Sequence, residues 1–471
     1  MADYSRVRVV SRSLVKAAGT VTPRILAVSN LDLLPRPIPS LLLCAYRKPS
    51  TGCFGDVVAI FKASLPSLLE HFFPLAGRLV YSPRSGVPEV HCDNQGAELV
   101  VGEAGVELAS LDYGALGASL ARIGALVQYG ADVVLSVQLV SFACGGFTVA
   151  WCSNHVVMDG YGLCMLASMW SELARSGRID TTRGGGAPSF DRSVLPRPRA
   201  APSYSPSLSE AFTPFEGKHL VNSLTAESYC VTRLYYVEER DIAMLRARAS
   251  GEGVGERRAT RLEAMSAYLW KALAAVVAAS GSDETCRMGW WVDGRRRLSV
   301  PGNEAAMRNY VGNVGTFALA EAAVEEIRRR PLPEVASMVR EAIAARATEE
   351  HFQELVDWVE EHKGGRFVET ATVGLGSPAL AVTSFASFRL QTDFGFGHAA
   401  LAMPMMLAGT GRLCAGFVKI VPRPGGDGSW VVSMVVWPRL AGALDSDEPR
   451  ILRPVTAEYL GLKAENPCSR L

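Results

Sequence analysis

From Val133 to Cys152 no residue carries a formal charge. Gly145-Gly146 splits this run, Ser and Gln interrupt it, and valine and aromatic residues enrich it. It therefore reads as two buried strands joined by a turn, and not as a helix in lipid. The second strand runs into Trp151-Cys152-Ser153-Asn154-His155-Val156-Val157-Met158-Asp159-Gly160. That ending sets an imidazole and a carboxylate four positions apart, directly before a glycine. A strand leaving a core in this way presents a base at the mouth of a cleft. An imidazole with an ordinary pKa of roughly 6.5 takes a proton from a hydroxyl or amine near neutral pH, so His155 is the candidate general base. Asp159 either orients the ring or holds the loop by pairing with a distant arginine. Gly160 frees the backbone for a tight turn. A metal is not expected.

A chain of 471 residues exceeds one ordinary core, which predicts two domains. Gly184 to Gly217 combines Gly184-Gly185-Gly186 with six prolines and several serines, a composition that predicts a surface crossover. The expected layout is a domain over 1–183, a linker over 184–225 and a second domain over 226–471. Lys+Arg 48 against Asp+Glu 47 gives no sign of a nucleic-acid surface or an anionic membrane. Ten scattered cysteines without a Cys-x-x-Cys pair predict reduced thiols inside a cell. The N-terminus lacks the apolar core of a signal peptide, so the expected location is cytoplasmic. Ser469-Arg470-Leu471 is a close variant of the peroxisomal Ser-Lys-Leu address, which makes the peroxisome the alternative.

Periodicity gives a mixed α/β chain. The first half carries strands over 6–15, within 90–101 and over 133–151, with helices over 55–73 and 161–175. The second half restarts with a strand at 229–237 and helices at 239–249 and 260–279. A strand at 290–292 follows, and then one long helix at 332–359. The charged side of that helix predicts a solvated face, with His351 and His362 on the surface. Strands at 374–388, 413–422 and 430–437 complete the pattern.

Several motifs, in order, resemble one family. His155-x-x-x-Asp159-Gly160 resembles the catalytic motif of the plant BAHD acyltransferases, and Asp393-Phe394-Gly395-Phe396-Gly397 resembles their Asp-Phe-Gly-Trp-Gly signature. Phe73-Pro74-Leu75-Ala76-Gly77-Arg78, Phe190-Asp191-Arg192-Ser193, Trp270-Lys271, Asp293-Gly294-Arg295-x-Arg297 and Tyr310-x-Gly312-Asn313 add matches along almost the whole length. The resemblance implies two chloramphenicol acetyltransferase-like domains, each a mixed sheet flanked by helices, with the site between them. It implies an acyl-CoA donor as co-substrate and a small alcohol or amine acceptor, with no other cofactor and no metal. Transfer is direct, without an acyl-enzyme, which agrees with the lack of a Gly-x-Ser-x-Gly elbow.

The resemblance also assigns residues. His155 is the base. Asp159 and Gly160 support it, with Arg295 or Arg297 as the partner of Asp159. Asp393, Gly395 and Gly397 form an architectural turn. Thr383 and Ser384 are oxyanion candidates, and Phe396 and Asn313 join them as oxyanion or substrate candidates. Phe396 and Phe385 stand where the family usually has tryptophan, and His398-Ala399-Ala400 replaces a basic residue and a proline. Tyr310-Val311-Gly312-Asn313 departs from the pattern tied to malonyl transfer. An aromatic donor is expected, hydroxycinnamoyl first and benzoyl next, in plant specialised metabolism. A working peroxisomal address would favour benzoyl-CoA. The family suggests a monomer. The other readings are a catalytically inactive binding protein and an acyl-CoA hydrolase.

Overall fold

The computed structural model describes every residue except 1–5, 21, 36–38, 126–131, 181–185, 215–221, 225–228, 252–256, 282, 299–303, 366, 370–376, 406–414 and 464–471. Gly184-Gly185 and the Ser469-Arg470-Leu471 tripeptide lie outside the described residues. Two large sheets organise the rest. The first runs, edge to edge, Arg8–Val15, Ala97–Ala104, Leu135–Phe142, Phe147–Asn154, Pro39–Tyr46 and Leu401–Met405. Its Ala97–Ala104 and Leu135–Phe142 strands pair parallel, and the other pairs are antiparallel. The second runs Gly315–Ala323, Thr285–Asp293, Ala379–Ser384, Ala415–Pro422, Trp430–Val436, Val231–Val237 and Arg453–Pro454. Ala379–Ser384 sits parallel to both of its neighbours.

The uncharged run forms the hairpin expected of it. Leu135–Phe142 and Phe147–Asn154 are antiparallel, and the turn between them has Gly145 at φ +80°, where glycine is favoured. Every residue of Phe147–Asn154 is buried, which is why the strand reads as a continuous apolar run without alternation. Helices Phe54–His71 and Gly160–Ser176 pack on one face of this sheet through Phe61, Leu65, Leu163 and Trp170. In the second half, Arg261–Ser280 is fixed at its start by reciprocal Thr260 and Glu263 caps and ends at Gly281 in the left-handed region. It is long and apolar enough to cross a membrane, but most of it is buried in the second core beneath Leu332–Arg346 and Pro438–Asp445.

Three features depart from expectation. Leu401–Met405, which follows the Asp393–Gly397 motif, returns to the first half and pairs with Pro39–Tyr46. The crossover is not a bare surface strap. Leu195, Leu208 and Phe212 are buried against Leu298, Phe352 and Trp358. The long helix is two, Leu332–Arg346 and Glu349–His362, because the Thr348 side chain caps the second by accepting from His351 N at 3.2 Å.

That break places His351 inside the protein and not on the surface. It is 5 % exposed and 2.7 Å from Thr316 Oγ1. Burial, and then the Arg346 charge, push its pKa down to about 4. The unfolded chain therefore binds a proton that the folded chain refuses between about pH 6.5 and 4. Stability from this group is complete above the unfolded value and is lost as pH falls through that window. His351→Gln keeps a partner for Thr316 and removes the titration. Its urea midpoint should drop less than that of the wild type between pH 7.5 and 4.5, and parallel loss in both would refute the assignment.

Candidate active site

His155 follows the last residue of Phe147–Asn154 and sits in a turn before helix Gly160–Ser176. His155 as a residue is half-buried, and protein surrounds its ring. Burial lowers its pKa. The Asp159 charge and the Asn313 hydrogen bond pull the other way, and the Lys419 charge adds to the lowering.

Asn313 determines which ring nitrogen is free. Its Nδ2 donates to the His155 backbone oxygen at 2.8 Å and to Asp32 Oδ1 at 3.0 Å. Its Oδ1 is thereby the atom facing His155 Nδ1, at 3.1 Å. An amide oxygen only accepts, so Nδ1 carries the proton and Nε2 carries the lone pair. Asn313 was expected among the oxyanion or substrate candidates. Its side-chain amide is instead spent on His155 and on Asp32, which leaves no N–H of that group to offer a substrate.

Asp32 went unnoticed in the sequence. It is fully buried and takes Asn313 N at 2.7 Å, Ser29 N and Ser29 Oγ at 2.8 Å each, and Arg192 Nη2 at 3.3 Å. Arg192, from the Phe190–Ser193 motif, supplies the counter-charge that such a carboxylate needs. The available signal was the Ser29-x-x-Asp32 capping pattern inside an apolar stretch.

Asp159 turns away from the ring. It caps its helix by accepting from Gly162 N at 2.9 Å, and it takes Arg295 in a two-pronged pair at 2.7 and 3.1 Å. Arg295 also reaches Asp293 at 3.0 Å, and its guanidinium lies 4.3 Å from the centre of the Tyr161 ring. Burial opposes the charge on Arg295, but Asp159 and Asp293 outweigh it and hold the group firmly protonated. Burial raises Asp293 despite the pull of Arg295. Of the two arginines expected to pair with Asp159, Arg295 does so; Arg297 is exposed.

Gly160 is needed for close approach. A Cβ there would overlap the ring of Phe385, which follows Thr383-Ser384. The contact joins the His155 turn to the end of strand Ala379–Ser384. Gly160→Ala should cost about 1–3 kcal/mol through overpacking, and adding Phe385→Leu should recover most of it in thermal unfolding. No recovery in the double variant would show that the strain lies elsewhere.

The Asp393–Gly397 turn is built as expected. Asp393 Oδ1 accepts from Gly395 N at 2.9 Å and Gly397 N at 3.0 Å, with φ +105° and +92° at the two glycines. Phe396, expected among the oxyanion or substrate candidates, is half-buried. It stacks on Phe394 at 5.9 Å and meets Tyr46 and Phe147 edge-on at 5.2 Å each, inside the aromatic cluster of the first half. The ring acts as a wedge that fastens the returning segment. Ser384 Oγ accepts from Ala386 N at 3.3 Å, and Thr383 sits opposite Lys419 in the neighbouring strand. One surface hollow lined by Glu238, Arg423 and Tyr459 and another lined by Val194, Leu298 and Gln353 include none of these residues.

Two large mixed sheets, with an imidazole at the end of a strand of the first and its Nδ1 held by Asn313, frame the site. The chain belongs to the Transferase family, the BAHD acyltransferases, whose family model matches residues 5–439. It is 28% identical over 409 residues to the omega-hydroxypalmitate O-feruloyl transferase of Arabidopsis thaliana, covering 84% of this chain and 83% of that one. It is 27% identical over 438 residues to putrescine hydroxycinnamoyltransferase 3 of Oryza sativa subsp. japonica, covering 90% and 94%. Vinorine synthase shares the fold at TM-score 0.68 and 19% identity, covering 97% and 98%. The TRI101 protein of F. graminearum, crystallised with coenzyme A and T-2 mycotoxin, shares it at TM-score 0.72 and 14% identity, covering 91% and 99%.

Proposed function

We propose that the protein transfers an acyl group, hydroxycinnamoyl or benzoyl, from an acyl-CoA thioester to a hydroxyl or amine of a small acceptor. His155 Nε2 takes the acceptor's proton as its oxygen or nitrogen attacks the thioester carbonyl. The tetrahedral intermediate collapses, its C–S bond breaks, and the departing CoA thiolate receives the proton from Nε2. Thr383 and Ser384 are the hydroxyls proposed to donate to the developing oxyanion, a contribution often worth about 100-fold or more. Asp32 and Asn313 act through the base by fixing its tautomer.

The Nδ1–H to Asn313 lock supports this reading most directly. It leaves Nε2 unprotonated, and burial keeps it so near neutral pH. Relatives named as feruloyl, hydroxycinnamoyl and benzoyl transferases favour an aromatic donor. The test pairs coumaroyl-, feruloyl-, benzoyl-, acetyl- and malonyl-CoA with pooled alcohols and amines and identifies products by mass spectrometry. An acceptor-dependent aromatic ester or amide is expected. Free acid without any acceptor would make the protein a hydrolase, and tight CoA-ester binding without turnover would make it a binding protein.

A further inference from the structure

We propose that Lys419 is the recognition point for a carboxylate carried by the substrate, on the acceptor or on the acyl group, beside His155. The inference rests on the acyl-transfer reading above. Lys419 lies in the middle of strand Ala415–Pro422. Its neighbours Val418 and Ile420 are buried in the core of the second half, so by strand alternation Lys419 shares the opposite face with Phe417 and Val421. Val421 packs there against Leu41, Leu43 and Met403 of the first sheet. Lys419 therefore faces the interior between the halves, directly across from Thr383, and its charge reaches His155.

An ammonium has three hydrogens to donate. Among the described residues, Lys419 uses one, on Met405 O at a long 3.4 Å, and no carboxylate lies within ion-pair distance. The segment after Met405, residues 406–414, contains no Asp or Glu. Burial without a counter-charge pushes the pKa down to about 8, which still leaves the group mostly charged at neutral pH. A methionine would fill the same volume without desolvating a charge, so a bare lysine in this place marks a group kept for a ligand. A carboxylate supplies the missing charge and accepts the remaining hydrogens. An aliphatic diamine, by contrast, would bring a second cation against the first.

The test compares matched pairs in purified wild type, Lys419→Met and Lys419→Arg. The acceptor arm sets 4-hydroxybenzoate against its methyl ester, with benzoyl-CoA as donor. The donor arm sets succinyl-CoA against butyryl-CoA, with a neutral alcohol. The wild type should prefer the acid by about 30-fold or more in kcat/KM in one arm, the size of a lost buried charge contact. The arm that shows the preference identifies which substrate carries the carboxylate. The ratio should fall to near one in Lys419→Met and persist in Lys419→Arg. A wild-type ratio of one or less in both arms, or a ratio unchanged in Lys419→Met, overturns the proposal. If no pair turns over, the acyl-transfer reading is decided by the wider set of donors and pooled acceptors above, and calorimetric titration of the CoA-bound protein with benzoate and benzamide decides the role of Lys419 separately. Benzoate binding lost in Lys419→Met upholds it, and equal binding to both proteins refutes it.

Discussion

His155→Ala should lower kcat by about 10²–10⁴-fold, the usual worth of a positioned general base, with KM for donor and acceptor changed little. The wild-type pH profile should agree with that role. A general base works when neutral, and the pKa of His155 lies below the ordinary value of about 6.5 because the ring is buried. Hence kcat/KM should hold steady as pH falls through 6.5 and decline only as it passes the lowered pKa. Asn313→Ala should reduce kcat and also move that acid limb, because Asn313 holds the Nδ1 proton; a purely structural loss would leave the limb in place. Product formed at an undiminished rate by His155→Ala would remove the residue from the mechanism.

Arg295→Met should destabilise the fold by about 3–5 kcal/mol, the cost of leaving a buried charge without its partner. Two carboxylates, Asp159 and Asp293, would then face each other across the space the guanidinium had filled. The helix cap at Gly162 and the bond from Val314 N also depend on where Asp159 points. Adding Asp159→Asn should restore part of the loss, since the amide still accepts from Gly162 N and carries no charge. Urea unfolding of the wild type, both single variants and the double variant measures the coupling. A loss under 1 kcal/mol in Arg295→Met would show that solvent reaches the pair.

The parts of the site legible in the sequence were those whose chemistry is local. His155, Asp159 and Gly160 lie within six residues, and the Asp393–Gly397 turn is closed by its own backbone. Contacts assembled from afar were not legible. Asp32 meets Asn313 across 281 positions, and nothing in either neighbourhood announces the other. Strand Leu401–Met405 is five residues long and contains Pro404, too short for a period to show. Lys419 sits in a correctly placed strand, but a lysine among valines looks like a solvent-facing residue until the other half of the molecule covers it. His351 was within reach. Together with Phe352, Leu355, Val356 and Val359 it falls on the buried stripe of its helix, which the charged residues around it mask in the sequence.

The strand that returns from the second half also sets a timetable for synthesis. Pro39–Tyr46 is made early, yet the partner that closes its open edge spans residues 401–405. A ribosome must finish most of the 471 residues before that edge is paired. Until then a row of unmet amides stands beside Leu41, Leu42 and Leu43, the kind of edge on which nascent chains aggregate. The proline at 404, set opposite Leu42 in that last strand, has no N–H to pair with yet another strand.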